Sequence, residues 1–511
     1  MKRVPIATAI LLMALMTVQI SCIKDNNNNA VTPLDLEEKS ECTIMWYGTG
    51  SGNVDPHILK DFSQFYKAKP ESFDRVNIVL QYKASIGSTG FNLLSDNEFI
   101  QKIVRGATYR LAVDPTKTLR GQLMEAEPYG AMNCDFTCPD SLTNFINWAA
   151  RTYPAKRYVL VMADHGGGYL PHDDVADAAT KGMVFDDGHD KKCFSGKSFA
   201  KGVRNADVRP EGIVLYLCLM NNLEFLYDVK DVTDYIVCST YTLWGTIGAM
   251  QSLPDNMAAG LDTRTALSNF VDANVDSWDA YFFDPQNPGT PAYYDLTLTE
   301  TKRLDNLAPV LREFTDRLVN TYQNGSAEQR AAIDECTANA VKVVNQEPLY
   351  DMAKYMESLS LVLPDVFDYD LYDRFADAFN ACIVHQRYAR YLTNHNYQVD
   401  YSMMLAVKGT YVCYVYDDSD TNLEEVTAYY PDGTTTTSKY VPGEEGGDAR
   451  YEFLKSGTWP GTFADTYQLT TFDSLVGWSR WLLLNETAPP AWSPCSFYFK
   501  LSGDMSEIPV L

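Results

Sequence analysis

The chain has 511 residues, of which 67 are acidic and 42 are basic, so its formal net charge is −25 at pH 7. This excess of negative charge repels polyanions and excludes nucleic acid as a natural partner. Apolar residues make up 46% of the composition, which is enough for a large core and more than one structural unit.

The first 21 residues are typical of an export signal. A short basic start, Met1–Arg3, precedes an apolar run from Ile6 to Ile20, and Ser21 then precedes Cys22. The run is too short and too polar for a membrane span, which needs about 20 apolar residues. We therefore predict a signal peptide over 1–21 and lipid attachment at Cys22, with simple secretion as the alternative.

Residues 22–40 predict a polar tether, because Asp25 and the four asparagines after it cannot form a core. With a lipid on Cys22, the protein would be held at a membrane surface in the cell envelope. An outer-membrane lipoprotein follows from this interpretation, and exposure at the cell surface is left open.

Strand-like apolar runs alternate with helix-like stretches between residues 41 and 290. The runs cover 42–47, 76–82, 158–163, 212–217 and 235–239. Continuous apolar strands separated by helices are typical of a mostly parallel sheet covered on both faces. One helix is expected to open at Pro139 and to bury the apolar face formed by Leu142, Phe145, Ile146 and Ala149.

Cysteines are numerous for an exported protein. Cys134 and Cys138 are separated by three residues, and this spacing suggests a disulfide bridge. No second Cys or His pair follows at ligand spacing, so a zinc site is not predicted. Cys382 and Cys413 lie in apolar runs and are expected to be buried thiols.

Two of the predicted strands lead into residues with nucleophilic chemistry. His165 follows the run YVLVMAD and is succeeded by three glycines, and Cys218 follows the run GIVLYL 53 residues later. In a parallel sheet, ligands gather beyond the carboxyl ends of the strands. A thiol needs a nearby imidazole to become an effective nucleophile, so the pair predicts a cysteine nucleophile with its base.

The pattern changes in the second half. Apolar residues recur at helical spacing at Leu304, Leu307, Leu311, Phe314 and Leu318. Short strands are expected after Tyr401, and the stretch 432–447, rich in glycine and threonine, is predicted to be a loop. We therefore expect a mixed helical and β region over 291–511, after an α/β domain over 41–290.

Several motifs together resemble one family. They are Thr43–Tyr47, Phe145–Trp148 with Tyr153–Ala155, His165-Gly166, Cys218–Met220 with Glu224, Asp231–Tyr235, and Gly477–Ser479. The set resembles the clostripain family of cysteine peptidases, relatives of the caspases and gingipains, and in particular its lipoprotein members from gut Bacteroides. The polar tether is similar to the export signals of such lipoproteins.

The resemblance implies a caspase-like α/β fold in which Cys218 attacks a peptide carbonyl and His165 acts as acid and base. Backbone N–H groups of Gly166 and Cys218 are the expected oxyanion donors, because glycine allows close approach of the main chain. Glu224, nearly two helical turns beyond Cys218, is expected to be structural and to bind the backbone or a basic group. No cofactor is required on this interpretation.

Calcium is considered because some clostripain relatives bind it. The candidate ligands are His172 with its acidic neighbours and His189 within the acidic cluster 186–190. No EF-hand spacing is present, so solvated loop charge is the favoured interpretation and no metal ligand is assigned.

The chain departs from the family pattern at the position two residues before the cysteine. Relatives that cut after Arg or Lys carry aspartate there, whereas this chain has Tyr216, which we take as a substrate-pocket residue. An aromatic ring cannot pair with a guanidinium, so specificity for Arg or Lys is not expected. Asp186 and Asp187 could supply a carboxylate instead, although a turn cap is favoured. Asp164 is expected to point away from His165.

Two functions remain open at this point. One is an envelope-anchored cysteine endopeptidase that acts on peptides or proteins. The other is a catalytically silent relative, a surface lipoprotein that binds peptides or glycans.

Overall fold

A computed structural model describes the backbone of most of the chain, and side chains chiefly up to residue 406. The described residues are 40–51, 54–86, 97–169, 182–189, 192–241, 243, 248–282, 294–341, 349–389, 403–406, 411–416, 423–429, 435–441, 450–455, 467, 470–482, 484, 496–501 and 504–510. The export signal, Cys22 and nearly all of the tether lie outside them.

Eighteen strands lie in the described part of the chain. They are β1 (Ser40–Thr49), β2 (Val76–Lys83), β3 (Thr108–Ala112), β4 (Ala155–Ala163), β5 (Met183–Asp186), β6 (Lys192–Phe194), β7 (Gly212–Tyr216), β8 (Tyr235–Cys238), β9 (Asp295–Glu300), β10 (Leu349–Asp351), β11 (Ile383–Tyr388), β12 (Met404–Ala406), β13 (Tyr411–Tyr416), β14 (Leu423–Tyr429), β15 (Thr435–Val441), β16 (Arg450–Lys455), β17 (Ser496–Leu501) and β18 (Asp504–Val510).

The α-helices of the same described residues are α1 (Asp55–Ser63), α2 (Asn97–Lys102), α3 (Leu119–Glu125), α4 (Pro139–Thr152), α5 (Gly196–Arg204), α6 (Leu223–Val229), α7 (Ser252–Ala258), α8 (Thr263–Phe282), α9 (Leu304–Asn324), α10 (Ala327–Ala338), α11 (Met352–Val362), α12 (Tyr369–Cys382), α13 (Thr471–Val476) and α14 (Ser479–Leu482). None of them is both long and apolar enough to cross a membrane.

An eight-stranded sheet in the order β11-β9-β8-β7-β4-β1-β2-β3 forms the centre of the molecule. The neighbours from β2 to β8 pair in parallel, and the outer strands β3, β9 and β11 pair antiparallel. The predicted mostly parallel sheet, flanked by helices, is therefore confirmed.

Strand β1 shows why both faces of this sheet are covered. Its side chains alternate, so Met45 and Tyr47 pack into one core while Ile44 and Trp46 pack into the other. Helices α4, α5, α6 and α9 line the first core, and helices α1, α7 and α8 line the second. A strand buried on both faces is usually rich in apolar residues, and the run from Ile44 to Tyr47 shows this pattern.

The predicted helices on the first face are present. Helix α4 opens with proline at its first position and buries Leu142, Phe145, Ile146 and Ala149. Helix α9 buries the five apolar residues that recur at helical spacing in the second half of the chain.

The central sheet extends across the boundary expected near residue 290. Strand β9 pairs with β8, and β11 pairs with β9, so residues 295–300 and 383–388 complete the same sheet as β1. β9 escaped the sequence analysis because threonine alternates with leucine in DLTLTE. All six of these residues are nevertheless buried, so the α/β unit reaches at least to residue 388.

A second, antiparallel sheet has the order β13-β16-β15-β14-β17-β18. Strand β15 lies within 432–447, the stretch predicted to be a loop. Its sequence, TTTSKYV, is rich in threonine, which suits an extended backbone. The predicted mixed helical and β character of the C-terminal region is confirmed.

The predicted bridge between Cys134 and Cys138 is wrong. Cys134 is a buried free thiol that donates to the Ala131 carbonyl at 2.8 Å, whereas Cys138 is disulfide-bonded, so the two are not bridged to each other. The short spacing did not predict the pairing, because the Cys134 side chain turns back toward Ala131 while Cys138 lies at the start of α4. Cys382 is a buried thiol as predicted, and the side chain of Cys413 lies outside the described set.

Candidate active site

His165 and Cys218 lie beyond the carboxyl ends of two adjacent parallel strands. β4 pairs with β7 so that Ala163 lies opposite Tyr216, and both chains then leave the sheet at the same edge. The two residues that the sequence singled out are therefore delivered to neighbouring positions, although 53 residues separate them.

The backbone at Gly166 lies against the backbone of Cys218. A Cβ atom on Gly166 would lie 2.2 Å from the Cys218 carbonyl oxygen and 3.0 Å from the Cys218 nitrogen. No residue with a side chain fits there without movement of the main chain. The glycine after His165 is thus required for the close approach of the two loops.

Backbone N–H groups surround the Cys218 thiol. The Leu243 N–H donates to Sγ at 3.3 Å, and hydrogen bonds from the backbone of Gly166 and of Cys218 itself also favour the thiolate. Burial has the larger effect and raises the pKa of Cys218 above its ordinary value. Cys218 is therefore a thiol at neutral pH, and backbone N–H donors are directed at the sulfur, where negative charge would develop on ionisation.

His165 is kept neutral at physiological pH. Burial lowers its pKa, the charge of Asp187 raises it, and the charge of His57 lowers it. A hydrogen bond with the backbone of Ser51 also raises the pKa, as expected where a carbonyl accepts the ring N–H. A neutral imidazole can accept the thiol proton, and Asp187 together with Ser51 would stabilise the imidazolium that results.

Asp164 holds together the two loops that border His165. Its Oδ1 accepts from Ser51 Oγ at 2.7 Å, and its Oδ2 accepts from the Phe185 N–H at 2.6 Å. Burial raises the pKa of this carboxyl well above its ordinary value. The backbone N–H of His165 also donates to this carboxyl. Contrary to the expected direction, Asp164 therefore contacts the main chain of His165, and through Ser51 it holds the backbone group that contacts the imidazole.

Asp186 and Asp187 have different roles. Asp186 accepts the Gly188 N–H at 3.0 Å, which is the predicted turn cap, and it also pairs with Lys83, whose Nζ is 2.5 Å away. Asp187 accepts from Ser85 Oγ at 2.8 Å and lies close enough to His165 to affect its pKa. The sequence analysis missed Lys83 and Ser85 because they lie about a hundred positions earlier in the chain.

One group of side chains has the composition of a metal site. Ligand atoms of Asp135, Asp186 and His189 lie within 4.8 Å of one another. The Lys83 ammonium already binds both oxygens of Asp186, at 2.5 and 2.7 Å, and so supplies a positive charge at this position. A hard cation such as calcium also prefers oxygen ligands to imidazole, so we assign no metal to this group.

Tyr216 lies beneath the site, with 6% of its surface exposed. Its ring centre is 6.4 Å from that of Trp46 and 6.3 Å from that of Trp278. Burial, and then the charge of Asp61 on α1, raise its pKa well above the ordinary value. A Cβ atom on Gly248 would lie 2.7 Å from the Tyr216 hydroxyl, so the ring fills the space below this loop.

Glu224 is structural, as expected, but its partner is a tyrosine. The fully buried Oε1 accepts from the Tyr467 hydroxyl at 2.7 Å, and the Tyr467 ring meets the Tyr169 ring edge to face. Asp228, also on α6, accepts the Thr471 N–H at 3.0 Å. The C-terminal segment 467–482 is therefore anchored to the helix that follows Cys218.

Replacing Tyr467 by phenylalanine is expected to lower the free energy of unfolding by about 1–3 kcal/mol, because a buried carboxylate loses a hydrogen bond. Tyr322→Phe is the matched control, since its hydroxyl binds Asp334 near the surface. That variant is expected to change stability by less than about 0.5 kcal/mol. Urea unfolding of both variants checks this, and equal effects would contradict the anchoring role of Tyr467.

The sheet and its helices define the class of protein, a caspase-like α/β protein with a cysteine and a histidine at one edge of the sheet. The particular family follows from comparison with known sequences. A model of the Clostripain family matches residues 46–441, which is most of the chain, and the chain therefore belongs to this family of cysteine peptidases.

Clostripain from Hathewaya histolytica is 22% identical to this chain over 321 residues. The match covers 56% of this chain and 60% of the relative, so the similarity spans about three fifths of the length of the curated protein.

Solved structures support the fold. Two structures of a secreted C11 cysteine protease from Bacteroides thetaiotaomicron superpose with TM-scores of 0.50 and 0.51, at 17% and 12% identity. They cover 70% and 86% of this chain, and 88% and 99% of their own chains, and the second holds an irreversible peptide inhibitor. An inactive zymogen C11 protease from Parabacteroides distasonis has a TM-score of 0.50 at 14% identity, over 87% of this chain and 99% of that one.

Proposed function

We propose that the protein is an envelope-anchored cysteine endopeptidase in which Cys218 is the nucleophile and His165 the acid and base. One observation carries the proposal. The loop of His165 is locked against Cys218 by Gly166, and backbone N–H groups converge on the thiol. A buried structural cysteine needs neither a neutral imidazole at the adjacent strand end nor convergent donors.

The reaction begins with transfer of the Cys218 proton to the neutral His165 as sulfur attacks the peptide carbonyl carbon. Negative charge moves to the carbonyl oxygen, where the N–H groups of Gly166 and Cys218 would stabilise it. The His165 imidazolium then gives its proton to the leaving amine and a thioester remains. Water attacks this thioester, again with His165 as the base, and frees the thiol and the new carboxyl terminus.

Peptides or proteins are the proposed substrates, and the preference is not strictly for Arg or Lys. The Bacteroides thetaiotaomicron relative that binds a peptide inhibitor supports peptide recognition by this fold. Tyr216 at the base of the proposed pocket offers no charge to a basic side chain, and it packs between two indole rings instead.

Replacing Tyr216 by aspartate is expected to shift the preference toward Arg or Lys by roughly tenfold or more, because a carboxylate can pair with the substrate cation. Matched peptides with arginine or a neutral residue before the cut give the ratio of kcat/KM. Tyr216→Phe is the control and should leave that ratio unchanged. A wild-type protein that already selects arginine strongly would contradict the pocket role of Tyr216.

The anchor is part of the proposal. A lipid on Cys22 and a polar tether over 22–40 would hold the enzyme at the outer membrane, with exposure at the cell surface as a further possibility to be tested by accessibility in intact cells. Nucleic acid is not proposed as a partner, no cofactor is proposed as necessary, and calcium dependence is to be tested with a chelator.

The decisive experiment is incubation of the purified protein with a diverse peptide library, followed by mass spectrometry of each cut. A parallel sample is first treated with iodoacetamide to block the thiol, and the modified residue is mapped. Cuts that disappear as Cys218 becomes alkylated support the peptidase. Cysteine reactivity without any cut, under reducing conditions and with or without calcium, would favour a silent peptide- or glycan-binding lipoprotein instead.

A further inference from the structure

A buried carboxylate on β9 holds the loop that follows β8. Asp295 is fully buried, and its Oδ1 accepts from Ser239 Oγ at 2.8 Å, from the Thr240 N–H at 2.8 Å and from the Tyr241 N–H at 3.0 Å. A carboxylate that accepts several hydrogen bonds fixes its donors tightly. The first residues of this loop are therefore set by one side chain from the neighbouring strand.

The same loop supports the turn that carries Cys218. The Leu219 N–H donates to the Tyr241 carbonyl at 3.0 Å, and the Asn221 N–H donates to the Ser239 carbonyl at 3.0 Å. Two residues beyond Tyr241, the Leu243 N–H reaches Cys218 Sγ at 3.3 Å. The loop thus contacts the sulfur of Cys218, and it also contacts the backbone of the residues that follow Cys218.

The turn after Cys218 needs this support. Leu219 has φ of +61°, in the left-handed region that residues with a branched side chain rarely adopt. Such a conformation persists only where surrounding contacts impose it. The bond from Leu219 to Tyr241 is one of those contacts, and Tyr241 is in turn held by Asp295.

We propose that Asp295 is a positioning residue for Cys218, acting through residues 239–241 and the Leu243 N–H, and that its ionised form holds the thiol and its N–H donors in the reactive arrangement. This role rests on the proposed peptidase function. Asp295 does not itself contact Cys218 or a substrate, so the role is one of support. Nothing in the local sequence around residue 295 indicates it, because the link passes through three elements of the sheet.

The protonation state of Asp295 is expected to change close to neutral pH. Burial raises its pKa to about 7, although hydrogen bonds from Ser239 and Thr240 oppose the shift. The Cys238 thiol on β8 lies close enough to feel the charge of Asp295, and Tyr388 on β11 is the backbone register partner of Asp295. The cationic side chains of β11, His385 and Arg387, are engaged by acidic residues of α8.

Ionisation of Asp295 should lower the stability of the fold and raise the activity. Because the pKa of Asp295 is higher in the folded protein than in the unfolded chain, the charged form is the less stable one in the fold. The stability that the protonated Asp295 carboxyl contributes is full below the carboxyl pKa of the unfolded chain. It is lost as the pH rises toward 7, and it stays lost above that pH. A residue kept charged at a cost to stability is expected at a functional site.

The test compares wild type with Asp295→Asn, which keeps one acceptor oxygen and removes the charge. Above pH 7, the variant is expected to have a higher Tm than wild type and a kcat lower by roughly tenfold to a hundredfold, with a smaller change in KM, since misplacement of a nucleophile has effects of this order. Its pH profile should also lack the inflection at about 7 that is expected for wild type from the pKa of Asp295. Ser239→Ala, which weakens the same network, should lower kcat in the same direction.

The matched control is Asp114→Asn, because Asp114 likewise accepts a backbone N–H and a hydroxyl, both from Thr116, but lies in an exposed turn. It should leave kcat and the pH profile unchanged. A drop in both Tm and kcat of Asp295→Asn with an unchanged inflection would overturn the proposal in favour of a structural role. So would full activity in that variant.

A second readout separates this proposal from the peptidase itself. Among the described thiols, Cys218 is partly exposed and the others are buried, so iodoacetamide modification mapped to Cys218 by mass spectrometry is the readout. Alkylation above pH 7 should be slower in Asp295→Asn by about the same factor as kcat. If wild type cuts no peptide, the peptidase fails, but slower alkylation of the variant still supports the positioning role, and equal alkylation overturns it.

Discussion

Replacing Cys218 by alanine is expected to lower the rate of peptide cleavage by roughly 10⁴-fold or more, because loss of a covalent nucleophile leaves only binding and the oxyanion donors. In the same assay, His165→Gln should lower the rate of cleavage by about 10²- to 10⁴-fold, which is the usual contribution of a positioned acid and base. Initial rates on the best library peptide measure both. Cys336→Ala is the control, since this buried thiol lies on α10 beside Ser358.

Besides Asp295, the two groups His165 and Cys218 shape the expected pH dependence of wild type. Since burial lowers the pKa of His165, the acid limb due to this residue should lie below the ordinary imidazole value of about 6.5. Burial raises the pKa of Cys218, so alkylation should still accelerate as the solution becomes alkaline. A thiol that reacts at its full rate in mildly acidic solution would contradict this neutral resting pair. Unchanged cleavage by Cys218→Ala would exclude it as the nucleophile.

The central strands and the two main site residues could be predicted because their signals are local. β7 and the part of β4 from Tyr158 to Ala163 are buried on both faces, so these runs are apolar without interruption, and they lead toward Cys218 and His165. A parallel arrangement then brings the two ends together without further information. Gly166 was expected from the sequence to allow close approach to a substrate, and that role stays a prediction. Its close packing against the Cys218 backbone was not foreseen.

The supporting residues could not be predicted because their signals depend on the folded arrangement. Ser51, Lys83 and Asp295 come from three different strands or their ends, and each acts on a segment about 50 to 110 positions away. No periodicity marks such a residue. β9 was missed for a related reason, since its buried threonines resemble the polar positions of a surface strand.

Cysteine spacing was the least reliable guide. Two cysteines with three residues between them suggested a bridge, but Cys134 is a free thiol turned toward Ala131, and Cys138 is bonded to a different cysteine. Spacing along the sequence constrains a disulfide only when the backbone between the two cysteines points both side chains at each other.

Lys83→Met is expected to lower the free energy of unfolding by about 3–5 kcal/mol, the usual effect of removing one partner from a buried ion pair. Lys83 and Asp186 have side-chain exposures of 0% and 1%, and the Lys83 ammonium also donates to the Cys134 carbonyl at 2.8 Å. Methionine fills similar volume, so the loss reports on the charge. Urea unfolding at neutral pH measures it, and Lys192→Met, which removes an exposed lysine near Asp135, is the control.

The pH dependence of this effect identifies its cause. Burial alone would raise the pKa of Asp186, but the hydrogen bond from His189 and the charge of Lys83 hold it below its ordinary value. The resulting stabilisation is present above the unfolded carboxyl pKa and is lost as the pH falls through the folded one. The difference between wild type and Lys83→Met should therefore shrink in acid, and a difference that is constant with pH would point to packing.

Asp186 also ties this ion pair to the active site. The segment that carries Asp186 supplies the Val184 N–H to the His165 carbonyl at 3.1 Å, and the Phe185 N–H to Asp164. Adding Asp186→Asn to Lys83→Met removes the unpaired charge while one oxygen can still accept the Phe136 N–H. The double variant should regain more than half of the lost stability. If it is instead less stable than Lys83→Met, the hydrogen bonds to the Asp186 carboxylate, and not its pairing with Lys83, hold this segment beside His165.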